Sequence, residues 1–128
     1  MKVYVSDAVT FLYYLLDNLP QEPDKAFKEA ETGEAIIYIP TIAAAELSYL
    51  FDVKKWFEKQ EKMQKAMQKS IAFRYYPFDR EVLVQSKKSK VKEIHDKIIV
   101  ATTKVLKAEA LLTKDKEIRR IGEVKTIW

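Results

Sequence analysis

Residues 35–47 read Ala35-Ile36-Ile37-Tyr38-Ile39-Pro40-Thr41-Ile42-Ala43-Ala44-Ala45-Glu46-Leu47, and their order decides the fold. The opening residues are apolar and β-rich, a run of strand length that Pro40 closes. Thr41 offers a hydroxyl at the N-cap position of a helix expected over 42–51. A strand that is apolar along its whole length, rather than on alternate positions, is covered on both faces. That is the habit of parallel sheets with helices on either side.

The same strand-then-helix pattern recurs in both directions. Upstream, Val3-Tyr4-Val5 predicts a short strand that Asp7 ends. An apolar helix follows over 8–16 and stops near Asp17-Asn18-Leu19-Pro20. Pro23 and Asp24 open a polar helix over 25–31, which Thr32-Gly33 ends. Downstream, residues 53–70 predict one long amphipathic helix. Val53, Trp56, Phe57, Met63 and Met67 share one face, expected to be core or a subunit interface, and lysines take the other. A strand over 72–76 ends at Pro77, and Asp79 caps a helix running through residues 81–84. The basic segment 87–92 leads to a helix over 94–106. A strand over 109–112, a helix from Asp115 to Ile121 stopped by Gly122, and a last strand over 124–127 complete the order. Strands alternating with helices imply an α/β fold, a parallel sheet flanked by helices. No repeat or linker interrupts it, so residues 1–128 are expected to form a single domain. Ligands of such sheets bind beyond the carboxyl ends of the strands, where strand order reverses.

Composition narrows the chemistry. The chain has 128 residues, 48% hydrophobic and 33% charged, which suits a globular core and excludes a collagen-like or low-complexity chain. No stretch is apolar for the roughly 18 residues that a membrane-spanning helix needs. There is no cysteine, so thiolate and disulfide chemistry are excluded, and the single histidine, His95, excludes a multi-histidine zinc site. The start at Met1-Lys2-Val3 shows no signal-peptide pattern, and the cytoplasm is the expected compartment. Catalysis is left to carboxylates, of which there are 19. The net charge of +4 is uneven: residues 1–35 sum to −4 and residues 36–128 to +8. Much of the excess lies in Lys54–Lys69 and in Lys87-Lys88-Ser89-Lys90-Val91-Lys92. Each run reads equally as a solvated helix face; together they suit a polyanionic partner.

Four acids fall where a strand-end site would need them. Asp7 follows the first strand. Glu46 lies within the helix after the second, in a segment with no other charge. Asp96 stands near the start of a helix that continues Ile98-Ile99-Val100-Ala101. Asp115 follows Leu111-Leu112-Thr113. Each has a plainer reading beside the functional one. Asp7 and Asp115 are natural N-caps, Asp96 complements the positive end of its helix, and a lysine near Glu46 would neutralise it. Gathered in one crevice, however, carboxylates repel one another, and ionising them together calls for a cation. Oxygen-only ligands suit Mg²⁺ or Mn²⁺. Such an ion activates water and clamps a phosphoryl group.

Four segments in order resemble the PIN-domain ribonucleases over nearly the whole chain. They are Val3-Tyr4-Val5-Ser6-Asp7-Ala8, Ile39-Pro40-Thr41-Ile42-Ala43-Ala44-Ala45-Glu46-Leu47, His95-Asp96-Lys97-Ile98-Ile99-Val100-Ala101-Thr102 and Ala110-Leu111-Leu112-Thr113-Lys114-Asp115. The resemblance implies a three-layer fold with a five-stranded parallel sheet of order 3-2-1-4-5. It implies Mg²⁺- or Mn²⁺-dependent endonucleolytic cleavage of RNA, with Asp7, Glu46, Asp96 and Asp115 as the catalytic, metal-binding quartet. Its small stand-alone members imply the toxin of a toxin–antitoxin pair, held by an antitoxin protein and dimeric with itself. The chain departs from the pattern at Val9, where the family carries a hydroxyl or amide two residues after the first Asp. Thr10 or Ser6 is then the nearest hydroxyl to supply that contact. Lys97 replaces a small residue, and would meet a substrate phosphate or solvent. His95 reads as a residue that supports the start of its helix. Thr113 reads as a partner for an acid or a metal-bound water, and equally as a turn residue. Tyr13, Tyr14, Tyr75 and Tyr76 suit packing or base stacking. Other readings stand beside this one: a PIN nuclease of RNA processing or decay, a non-catalytic nucleic-acid-binding module, and a phosphotransfer receiver. Against the receiver, Glu46 and Asp96 lie inside helices rather than on strand-end loops.

Overall fold

The computed structural model describes residues 1–128. Five short strands, β1 (Lys2–Ser6), β2 (Ala35–Pro40), β3 (Phe73–Tyr76), β4 (Ala110–Leu112) and β5 (Thr126–Ile127), make one sheet. Seven helices connect them: α1 (Ala8–Leu15), α2 (Gln21–Glu31), α3 (Thr41–Lys54), α4 (Phe57–Lys69), α5 (Arg80–Ser86), α6 (Ile94–Val105) and α7 (Lys116–Ile121). Every strand pairing is parallel and the order is β3-β2-β1-β4-β5, as the resemblance implies. In the register, Tyr4 of β1 lies between Ile37 of β2 and Ala110 of β4.

Connections run one way from β1 to β3 and the other way from β3 to β5. Right-handed crossovers in opposite directions send their helices to opposite faces. Accordingly α1 packs with α2, α3 and α4, while α5 packs on α6. Strand order reverses at β1, so the crevice of this sheet opens at the carboxyl ends of β1 and β4.

The burial of both sheet faces follows from the apolar strands. Val5, Ile37, Ile39, Leu111 and Leu112 are fully buried. On the α1–α2 side, Phe11, Tyr14, Phe27 and Phe73 form an aromatic cluster, with Tyr14 and Phe27 stacked at 4.3 Å. A smaller cluster of Val82, Ile98 and Ala101 joins α5 to α6. No helix is long and apolar enough to cross a membrane.

Three local expectations are corrected. The expected helix over 53–70 is two: α3 runs on to Lys54, Lys55 takes a left-handed conformation with φ 57°, and α4 begins at Phe57. The stripe breaks with it, because Val53, Trp56 and Phe57 are exposed and only Met63 is buried. Thr41 is not the N-cap of α3 but its first residue, after Pro40. Its hydroxyl instead accepts from the Phe78 N–H at 3.3 Å, which ties α3 to the segment between β3 and α5. The last strand is shorter than residues 124–127, covering only Thr126–Ile127.

Candidate active site

Asp7 stands at the turn from β1 into α1, and the turn explains its geometry. Its backbone is extended, so its side chain reaches forward over the first helical turn. Oδ1 accepts from the Thr10 N–H at 2.8 Å. Oδ2 accepts from the Thr113 hydroxyl at 2.5 Å, across the gap between β1 and the end of β4. The Thr113 hydroxyl in turn accepts from the Asp115 N–H at 3.1 Å. Asp115 caps α7 through the Ile118 N–H at 2.9 Å. Cap and site are thus one structure: the bonds that satisfy two helix N-termini also aim two carboxylates at the same opening.

Asp96 reaches that opening from the first turn of α6. Its N–H donates to Glu93 Oε2 at 2.7 Å, so Glu93, not a residue singled out in the sequence, caps this helix. Glu93 also holds His95 Nδ1 at 3.0 Å. Glutamate is a rare N-cap, and rules built on Ser, Thr, Asp and Asn pass over it. The one sequence signal was its place three residues before Asp96. Glu46 sits on α3, which meets α6. Ala43 and Leu47 turn inward, and Glu46 is exposed at the rim of an apolar patch that includes Val9, Leu12 and Leu50.

The electrostatics tie the four together. Burial pushes the Asp7 carboxyl above its ordinary range against the Thr113 and Thr10 bonds, and the charge of Asp115 adds to the rise. Burial, and then the charges of Asp115, Glu93, Asp7 and Glu46, push Asp96 up to about 7. Partial burial raises Glu46 as well; His95 opposes this, while Glu93 and Asp7 reinforce it. None of the four forms an ion pair with a lysine or arginine. An all-oxygen set, mutually repelling and without a counter-charge, has the chemistry a hard divalent cation fits. The side chains stand apart as neighbours rather than closing into a ready three-ligand cluster.

The remaining residues are placed as follows. Thr10 donates its hydroxyl to the Leu112 carbonyl at 2.9 Å, and Ser6 donates its own to the Asp7 carbonyl at 3.0 Å. Both fasten backbone; Thr113 donates to the Asp7 carboxylate, and the Thr10 side chain lies close enough to oppose the rise of the Asp7 carboxyl as well. Lys97 donates to the Ser89 carbonyl at 3.0 Å. Glu123 carries no signal in the sequence. It gathers Lys104, the Lys90 N–H and the Ser89 hydroxyl, and so folds the basic segment 87–92 against the start of the last strand region.

A five-stranded parallel sheet of order β3-β2-β1-β4-β5, with Asp7, Asp96 and Asp115 near its switch point, defines a class of α/β domain. The PIN domain family matches residues 4–124, and the chain belongs to it. That makes it a nuclease-type domain, a hydrolase class acting on nucleic acid. Solved structures share the fold. VapBC2 from Rickettsia felis, bound to a DNA fragment from its promoter, is 18% identical with TM-score 0.75, covering 97% of this chain and 96% of that one. A toxin–antitoxin complex from Klebsiella pneumoniae is 20% identical with TM-score 0.66, covering 93% and 92%. VapC20 of Mycobacterium tuberculosis, a toxin that cleaves the sarcin–ricin loop, is 11% identical with TM-score 0.64, covering 94% and 95%. No curated protein matches the chain.

Proposed function

We propose that the protein is a Mg²⁺- or Mn²⁺-dependent endoribonuclease, the toxin of a toxin–antitoxin pair. The observation that carries the reading is the unpaired carboxylate set, with Asp96 pushed to about 7 by burial and by its acidic neighbours. Asp7, Glu46 and Asp96 hold the cation, directly or through water, and Asp115 completes the pocket. When bound there, a divalent ion supplies activation of water and neutralisation of phosphoryl charge. The chain's own residues prepare the site. Thr113 and the Thr10 N–H fix both Asp7 oxygens, and Glu93 anchors the start of α6 beneath Asp96.

The toxin reading is supported by the toxin–antitoxin assemblies among the structural neighbours. It is also supported by an apolar groove beside Glu46, lined by Val9, Leu12, Leu47, Tyr49 and Leu50, which suits an antitoxin helix. Exposed Tyr75, Phe78, Leu83 and Val84 around α5 suit a second copy of the chain.

Incubating labelled RNA with the protein in Mg²⁺, in Mn²⁺ and in EDTA tests the reading. Cleavage is expected with either metal and not in EDTA, and a loss of at least about 100-fold is expected in Asp7→Asn and Asp96→Asn. Undiminished cleavage in EDTA or in either variant would sink the carboxylate mechanism. Growth arrest on expression, relieved by co-expressing the antitoxin, separates a toxin from a processing nuclease.

A further inference from the structure

Tyr13 and Trp128 form an aromatic pair outside the hydrophobic core. Their rings meet at 5.7 Å and 56°, and neither packs against the main core cluster, unlike Tyr14 next door. Both are partly exposed. Lys114 meets Tyr13: its Nζ donates to the Tyr13 hydroxyl at 3.0 Å and lies 5.0 Å from the Tyr13 ring centroid. Lys114 is exposed and has no acidic partner.

The backbone sets this group at the rim of the acidic crevice. Lys114 lies between Thr113, which bonds Asp7, and Asp115. Leu112 pairs with Ile127, and the Thr113 N–H donates to the Ile127 carbonyl at 3.2 Å. Trp128 is thus one strand over from Thr113. Thr10 and Tyr13 are three apart on α1, so they share a face of the helix, and Thr10 already bonds Leu112 at the end of β4. Tyr13 follows Asp7 by six residues, a helical rise of about 9 Å.

An aromatic face beside a cation without an acidic partner, at the rim of the acidic strand ends, is what a single strand needs. The base stacks and the adjoining phosphate meets the ammonium. We propose that Trp128, propped by Tyr13 and flanked by Lys114, is a nucleobase-stacking subsite for the single-stranded RNA held at the carboxylates. The proposal rests on the nuclease reading and deepens it. Stacking tolerates every base, so the subsite sets the register and the need for an unpaired strand rather than sequence.

The test uses the Asp96→Asn protein carrying Trp56→Phe, which leaves Trp128 as its one tryptophan. It is titrated in Mg²⁺ against an eight-nucleotide oligoadenylate and an abasic oligoribonucleotide of equal length, each end-labelled so that affinity is read from the anisotropy of the strand in every variant. The base-bearing strand is expected to change Trp128 fluorescence and to bind about tenfold more tightly than the abasic one. Trp128→Leu should remove that preference, and Trp128→Phe should restore most of it. In the cleaving protein, Trp128→Leu should raise KM about tenfold while changing kcat far less; a merely structural role would lower kcat and the melting midpoint instead. Equal affinity for the two strands, or a preference that survives Trp128→Leu, overturns the subsite. If the unaltered protein cleaves RNA without this preference, the subsite falls and the nuclease reading stands. If it neither binds nor cuts RNA, both fall.

Discussion

Thr113 is the residue through which two ends of the crevice communicate. It is fully buried, donates to Asp7 and accepts from Asp115. Thr113→Val keeps the shape and removes both bonds, leaving a buried carboxylate oxygen short of a partner. A stability loss of about 1–3 kcal/mol is expected by urea denaturation, with a 10–100-fold fall in Mn²⁺ affinity, as for other groups that orient a metal ligand. Affinity within twofold of the unaltered protein would show that Asp7 does not need this orientation. Asp96 makes a pH prediction. Its folded pKa of about 7 lies above its unfolded value, so the folded chain holds the proton more tightly. The metal-free protein is therefore stabilised in acid and loses that stability as pH rises through about 7. Its melting midpoint should be higher at pH 5.5 than at pH 8, with the difference reduced in Asp96→Asn. Protons and metal compete for the same oxygens, so Mn²⁺ affinity should run the opposite way and weaken below pH 7. A melting midpoint flat across this range would contradict the crowding of acids around Asp96.

Among elements, the junction of α3 and α4 shows local backbone overriding side-chain periodicity. Apolar spacing over 53–70 reads as one helix because periodicity registers faces and is blind to a single residue of positive φ. Lys55 is that residue, at φ 57°, and the break redirects α4 so that Met63 reaches the core. A side chain in the left-handed region costs roughly 1–2 kcal/mol that glycine avoids, partly offset by glycine's unfolded-state entropy. Lys55→Gly should thus stabilise the protein by about 0.5–1 kcal/mol, read from the shift in urea midpoint. Destabilisation would mean the Lys55 side chain supports the junction. The caps divide in the same way. Asp7, Asp79 and Asp115 cap their helices as their sequence positions suggest. Thr41 does not, because Pro40 leaves the strand directly into the helix and the hydroxyl is taken by Phe78. Where a cap has one available partner, residue type decides it; where a distant segment competes, packing does.

Across the whole molecule, charge is segregated rather than simply basic. Lys87, Lys88, Lys90 and Lys92 are exposed and free of acidic side chains, while Glu123 and Glu117 hold the backbone of their segment. If they track a polyanion, replacing the four by alanine should leave the melting midpoint unchanged. It should flatten the dependence of log RNA affinity on log salt by about 0.7 for each phosphate no longer neutralised. An unchanged slope would make the run a solvated surface.

The chain's own pattern determined the α/β class, the parallel sheet and most element limits, and it put four acids forward as candidates. Those follow from short-range physics: apolar runs bury, prolines and glycines interrupt, and acids cap helices. Tertiary structure alone decided what lies beside what. It brought Thr113 to Asp7 across 106 residues, left Glu46 exposed, and set Trp128 against Tyr13. Each of those outcomes depends on strand register and crossover direction, which no window of sequence contains. The burial and crowding that raise Asp96 exist only once three strand ends and two helices have met.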